Sequence, residues 1–367
     1  MRGELRIIAC VLPFLACSSS PSGKPAPDGA AGGATGGTGG VGGASGTAGT
    51  TGGSGGTTAT NDGGAGASGG AGGDTGAGGD ASANGGEGGA LDAGGGGQPD
   101  AGFWGPNGPK KQFTCPAGPF GAQVLGTSTD ICTTFKLSGN WNEGPTWIAS
   151  ENAFFFSNYN IGTYQGGDII KYTMGGTCEV WLQGVGCNGL GVSPSGNLLA
   201  ACQGPRAVME YDVKTKAGRM VATMADGKML DSPNDLIARS DGNVYFSNRT
   251  AELGNRPVGL GEALVRIDPM GVTSVIQMGG LNGVALSPDE TKLYVVGMGT
   301  WTLDAAGVPG QKGGPTPGGD GIAVDCAGTI SNNGTNSAYG GPDGKTLLIV
   351  GGGTKMRTVS VSVPGLP

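Results

Sequence analysis

The stretch Asn282-Gly283-Val284-Ala285-Leu286-Ser287-Pro288-Asp289-Glu290 decides the fold. A short apolar run closes on Ser-Pro-Asp, and a second run, Lys292-Leu293-Tyr294-Val295-Val296, follows at once. Two such runs around a Pro/Asp turn read as a β-hairpin. The unit recurs as Asn188-Gly189-Leu190-Gly191-Val192-Ser193-Pro194, as Asn234-Asp235-Leu236-Ile237-Ala238-Arg239-Ser240-Asp241-Gly242, and as Asp320-Gly321-Ile322-Ala323-Val324-Asp325. Glu143-Gly144-Pro145-Thr146-Trp147 stands in register before them, and Asn336-Ser337-Ala338-Tyr339-Gly340 closes the series. Their starts, from 143 through 188, 234 and 282 to 320, are 45, 46, 48 and 38 residues apart. A period near 45 with two strand signals per copy is the pattern of four-stranded propeller blades.

The other apolar runs agree. Ala153-Phe154-Phe155-Phe156-Ser157, Leu198-Leu199-Ala200-Ala201, Val244-Tyr245-Phe246-Ser247 and Thr346-Leu347-Leu348-Ile349-Val350 are all short and bounded by Gly, Pro, Asn or Asp. No stripe of helical period runs through the domain. The expectation is an all-β, six-bladed β-propeller over residues 109–367. Its fifth blade is shortened. Only 16 residues separate Asp320 from Asn336, and four strands of about five residues with their turns do not fit in that length. Such a gap predicts an open edge with unpaired backbone groups, reduced stability and a displaced Asp320.

Composition divides the rest of the chain. Of 367 residues 82 are Gly, and 37 of those lie among the 88 residues from Pro21 to Gly108. With a single Leu before Phe103, residues 18–108 cannot bury enough apolar surface to offset chain entropy, so a disordered linker is expected there. Its reach as a Gly-rich coil is roughly 50–55 Å. Phosphate-cradling loops are excluded, because no Gly-Lys-Ser/Thr stands between a strand and a helix. The net charge of −7 argues against nucleic-acid binding. The chain has no His, which removes His-dependent triads, zinc sites and proton shuttles.

Residues 1–17 resemble a bacterial lipoprotein signal. Arg2 and Arg6 precede the apolar run Ile7–Ala16, which is too short to span a bilayer. Phe14-Leu15-Ala16-Cys17 then has the form of a lipobox, with Cys17 the lipidated residue. Ser18 in the next position resembles lipoproteins sorted to the outer membrane. Ordinary cleavage near Ala16, with Cys17 a bystander, leads to the same export. A lipid anchor is the only membrane contact expected.

Residues 141–367 resemble the regucalcin and gluconolactonase family of six-bladed propellers, also called senescence-marker-protein-like. The match rests on Glu143-Gly144-Pro145, Asp231-Ser232-Pro233-Asn234-Asp235, Asn282-Gly283-Val284-Ala285-Leu286, Asp320-Gly321-Ile322-Ala323-Val324-Asp325 and Gly341-Pro342-Asp343-Gly344-Lys345 in that order. The resemblance implies that Glu143, Asn234, Asn282 and Asp320 each give one oxygen to a divalent ion. Two carboxylates and two amide carbonyls suit Ca²⁺, with Zn²⁺ or Mg²⁺ as alternatives. Such an ion polarises a lactone carbonyl, and Asp320 would double as general base. Asn188 and Asp231 are candidate substrate contacts. Each of these residues alone is equally a turn former, since Asn-Gly and Asp-Gly are common hairpin turns. Where gluconolactonases often carry Glu-His-Gly, this chain reads Cys202-Gln203-Gly204.

Six cysteines follow the signal, an even number suited to disulfides in an oxidising compartment. Sequence proximity suggests Cys115–Cys132 and Cys178–Cys187, leaving Cys202–Cys326. The expected function is a tethered, monomeric lactone or ester hydrolase. The alternatives are a non-catalytic propeller that binds a ligand or partner at the cell surface, and a purely structural surface protein. Trp104, Trp141, Trp147, Trp181 and Trp301 fit core packing better than sugar stacking.

Overall fold

Each apolar run quoted above forms a strand of an antiparallel ladder. The computed structural model describes residues 103–105, 108–160, 162, 166–353 and 356–367. The signal, Cys17 and the linker up to residue 102 lie outside the described residues.

Five four-stranded sheets follow one another around a ring. The first blade runs outward through Trp141–Ile148, Ala153–Tyr159, Asp168–Thr173 and Cys178–Leu182. The second uses Cys187–Val192, Leu198–Cys202, Ala207–Tyr211 and Gly218–Ala222. The third uses Ser232–Ala238, Val244–Arg249, Ala263–Ile267 and Thr273–Met278. The fourth uses Val284–Leu286, Lys292–Val295, Gly299–Leu303 and Pro309–Lys312. The closing blade has Asn336–Gly340, Thr346–Val350 and Met356–Val361, and takes its outermost strand, Leu125–Ile131, from the other end of the domain. That exchange ties the ring shut. A small hairpin, Met224–Ala225 with Lys228–Met229, bridges the second and third blades. The one helical element among the described residues is the 3-10 turn Ala149–Glu151.

Strand periodicity builds the core. Successive side chains face opposite sides of a strand, and every blade has a neighbour on both faces. Phe154 and Phe156 therefore pack with Leu348 and Val350 of the closing blade, whereas Phe155 packs with Leu190 and Leu198 of the second. Leu199 and Ala201 likewise face Val244 and Phe246 of the third blade. Both faces are apolar, so the strands read as continuous rather than alternating runs. Trp104, Trp147, Trp181 and Trp301 are buried in these layers.

The fifth position holds only two short strands, Ala323–Val324 and Ile330–Ser331, where a complete blade would have four. The first of these strands pairs on its other side with the chain's C-terminal residues, and Ile330–Ser331 is left as the sheet's outer edge. Cys326 N–H donates to Pro364 O at 2.8 Å, and Leu366 N–H donates to Val324 O at 3.0 Å. From the leading segment, Gln123 Nε2 donates to Asp325 Oδ2 at 3.2 Å and to Val363 O at 2.9 Å. Ile330 and Ser331 are buried.

The disulfides correct the pairing inferred from proximity. Cys115 bonds Cys326, Cys132 bonds Cys178, and Cys187 bonds Cys202. Ring closure explains the first two. It sets the strand ending at Ile131 beside the first blade, and draws the leading segment to the two-stranded position. The third links adjacent strands of one blade, where Cys187 and Cys202 are register partners. Packing also begins before residue 109. Trp104 is buried, its Nε1 donates to Gly242 O at 2.8 Å, and Arg219 lies over the Phe103 and Trp104 rings.

Candidate metal and active site

The innermost strands carry the site at their leading ends. Three of them are irregular there. Register slips between Glu143 and Thr146, between Cys187 and Leu190, and between Pro233 and Leu236. Each slip brackets a Gly or a predicted site residue, and a bulge takes a residue out of the ladder and re-aims its side chain. Neighbouring strands also meet closely here. A Cβ on Gly189 would stand 2.5 Å from Asn234 O, and one on Gly283 would stand 2.5 Å from Asp320 O. The glycines after Glu143, Asn188 and Asn282 are therefore packing requirements between blades, as well as turn signals.

Asn282, Asp320, Glu143 and Asn234 come together around the channel. Asn282 Nδ2 donates to Asp320 Oδ1. Burial raises the Glu143 carboxyl well above the ordinary carboxylate range, and the charges of Asp320 and Asp235 raise it further. Trp141 Nε1 donates to Glu143 Oε1 at 3.2 Å and works the other way. Asp320 is also raised by burial, against the opposing pull of Arg249 and of the Asn282 amide. Asn234 Nδ2 points to Glu252 Oε1 at 3.5 Å.

Asp235, Arg249 and Glu252 belong to the same group, although none was singled out from the sequence. Asp235 is buried and accepts Leu236 N–H at 2.9 Å and Val284 N–H at 3.2 Å, which joins the third blade to the fourth. Burial pushes its carboxyl up to about 7. It lay in plain view in the Pro-Asn-Asp phrase. Glu252 lies on an irregular loop with no pattern to mark it.

The two candidate substrate residues have separate places. Asn188 is buried at the mouth of the channel, its Nδ2 donating to Tyr159 OH at 3.3 Å. Asp231, directly before the third blade's first strand, is fully buried in a clamp closed in part by the loop after that blade's second strand. Its carboxylate accepts Arg206 Nη2 at 2.9 Å, Asn248 Nδ2 at 3.2 Å, Gly259 N–H at 2.5 Å and Gly261 N–H at 2.6 Å. Its lone pairs are used by the protein, so its position here is architectural.

The donor set fits a divalent cation. Glu143, Asp235 and Asp320 repel one another in a buried channel, and a hard cation would relieve that repulsion. Among the described residues no three Asp, Glu, Cys or His side chains are already gathered as metal ligands. Two of the four expected ligands are amides. The Asn282 amide now offers its N–H to Asp320, so it would have to turn to present its carbonyl.

The sequence profile of the SMP-30/Gluconolactonase/LRE-like region matches residues 141–347. A gluconolactonase from Zymomonas mobilis is 31% identical over 270 residues, spanning 61% of this chain and 74% of the relative. Among solved structures, a Xanthomonas campestris gluconolactonase superposes with a TM-score of 0.54 at 21% identity, over 68% of this chain and 100% of that one. The calcium-binding protein regucalcin from Agrobacterium tumefaciens gives 0.50 at 17% identity, over 64% and 94%. These two structures bear on the fold alone.

Proposed function

Because this chain belongs to the SMP-30/gluconolactonase family, we propose that it is a lactone hydrolase of the gluconolactonase type. The observation that carries the proposal is the convergence of Glu143, Asp320 and Asn282, with Asn234 alongside, at the leading ends of inner strands from separate blades. Glu143, Asn234, Asn282 and Asp320 would hold a divalent metal, Ca²⁺ first and Zn²⁺ or Mg²⁺ as alternatives. Bound there, the metal would polarise the lactone carbonyl. Asp320 would take the proton of the attacking water and return it to the ring oxygen as the carbon–oxygen bond breaks. Its raised carboxyl suits that exchange, because a base is most effective when its pKa approaches the working pH. Asn188 would line the mouth where substrate enters.

The test is thermal unfolding of the full chain with Ca²⁺, Zn²⁺, Mg²⁺ or EDTA, paired with hydrolysis of glucono-δ-lactone. A ligand at 100 times its dissociation constant stabilises by about 2.7 kcal/mol. A metal-dependent rise in Tm, lost in Glu143→Gln, together with metal-dependent turnover supports the proposal. The two-stranded fifth position favours a second reading, a propeller that binds a ligand without catalysis, because Asp320 leads into those strands. Metal binding without turnover of any lactone would select it.

We also propose export with lipidation at Cys17, the Gly-rich stretch serving as a tether to the cell envelope, and a monomeric state. Radiolabelled palmitate incorporated by the wild-type chain and absent from Cys17→Ser is the expected result.

A further inference from the structure

Buried polar atoms with no hydrogen-bond partner among the described residues are concentrated on one side of the ring. Gln203 Oε1 and Nε2, Ser232 Oγ, Arg249 Nε, Glu252 Oε2 and Arg256 Nη2 all belong to the second and third blades; Thr146 Oγ1 and Ser337 Oγ are the two elsewhere. Gln203 is fully buried. Both ends of its amide lack a partner, a costly arrangement in a folded protein unless something else completes it.

Its position is set by the strand before it. Cys202 is the register partner of Cys187, next to Asn188, so Gln203 lies at the mouth end of its blade. Leu198, Ala200 and Cys202 face the first blade, whereas Leu199 and Ala201 face the third. Gln203 opens the turn after this strand, directly before Gly204. Arg256 reaches the same corner from the loop after Glu252. Its Nη1 donates to Gly204 O at 3.0 Å and its Nε to Leu253 O at 3.1 Å.

Charge separates this corner from the channel. Arg206 is paired with Asp231 at 2.9 Å, and Arg249 with Glu252 at 3.5 Å. Arg256 contacts backbone carbonyls only, and the nearby Asp231 is already taken by Arg206 and two N–H groups. Arg256 is left with no carboxylate of its own, the nearby Asp231 being held by Arg206. A buried water would satisfy the amide of Gln203, but not the charge of Arg256.

We propose that Gln203 and Arg256 form an anion subsite between the second and third blades, which binds a carboxylate or phosphate carried by the lactone away from its reacting carbonyl. A guanidinium and an amide N–H are the natural partners of such a group. The proposal rests on the lactone-hydrolase reading for its substrate, and its test separates the two.

The full chain with Ca²⁺ is assayed on glucono-δ-lactone, on glucarolactone, which adds a carboxylate, and on 6-phosphogluconolactone. Expected is a kcat/KM about tenfold higher for one of the anionic lactones than for the neutral one, the worth of one charge-assisted contact. Which anion is preferred identifies the source. Arg256→Gln removes the preference through KM, and Arg256→Lys retains part of it. Gln203→Glu, close in size, sets a carboxylate beside Arg256 and removes the preference even if Arg256→Gln fails to fold. Equal kcat/KM on all three lactones, or an equal loss on all three in the variants, overturns the subsite and leaves the hydrolase standing. Calorimetric titration of glucarate, 6-phosphogluconate and gluconate needs no turnover. Arg256-dependent preference for the doubly functional anions, with no lactone hydrolysed, overturns the hydrolase and leaves the subsite standing. No preference overturns the subsite.

Discussion

Asp320 and Glu143 are both buried carboxylates in one channel, yet they differ in surroundings. Asp320 has Arg249 and Asn282 against it, whereas Glu143 has the negative charges of Asp320 and Asp235. Asp320→Asn is accordingly expected to lower kcat by about 10²–10⁴, the usual range for loss of a general base, with metal still raising Tm. Glu143→Gln is expected to abolish the metal response itself. Equal effects of the two substitutions on both readouts would refute that division of labour. The glycines make a different prediction. Gly283→Ala would drive a methyl against Asp320 O, and overpacking of this kind costs about 1–3 kcal/mol. A urea midpoint unchanged by the substitution would contradict the close approach of the two blades.

At the scale of elements, the two-stranded fifth position is braced by both ends of the domain. The tail near Pro364 and Leu366 supplies backbone partners, and Gln123 bridges Asp325 to Val363. Cys115–Cys326 closes a separation of 211 residues and fastens the leading segment to this position. Replacing both cysteines by Ser is expected to cost about 2–4 kcal/mol. The loss should reach Asp320, whose strand is the one fastened. A denaturation midpoint and metal affinity both unchanged would show that the terminal segments hold the position without the bond. The missing strands were legible in the sequence, since 16 residues cannot make a blade. The bracing of the inner strand was not. Nothing local in Gln123 announces partners 202 and 240 residues away, or in Pro364 a partner 38 residues back.

For the whole molecule, the channel carboxylates set a pH dependence. Burial raises Asp235 from 3.8 to about 7, and raises Glu143 and Asp320. Each binds a proton more tightly folded than unfolded. Their stabilising contribution is complete below the unfolded pKa and is lost as pH climbs through the folded value. In EDTA, Tm should therefore fall between about pH 4 and pH 7 more steeply for the wild type than for Asp235→Asn. Added Ca²⁺ should flatten the wild-type curve, because the ion favours the ionised carboxylates. Parallel curves for the two proteins in EDTA would contradict the placement of Asp235 in the channel.

The sequence by itself determined the class of fold, the register of the repeat and the short fifth position. All of these are local: short apolar runs, turn dipeptides, and a spacing that recurs. Tertiary structure decided what depends on closing the ring. Closure set Cys132 beside Cys178 and Cys115 beside Cys326. It buried Asp231 under a loop, gathered Asp235, Arg249 and Glu252 around the channel, and left buried polar atoms of Gln203 and Arg256 without partners among the described residues. Side-chain partners from different blades are fixed by the angle between sheets and by the strand exchanged at closure. No interval along the chain records either one.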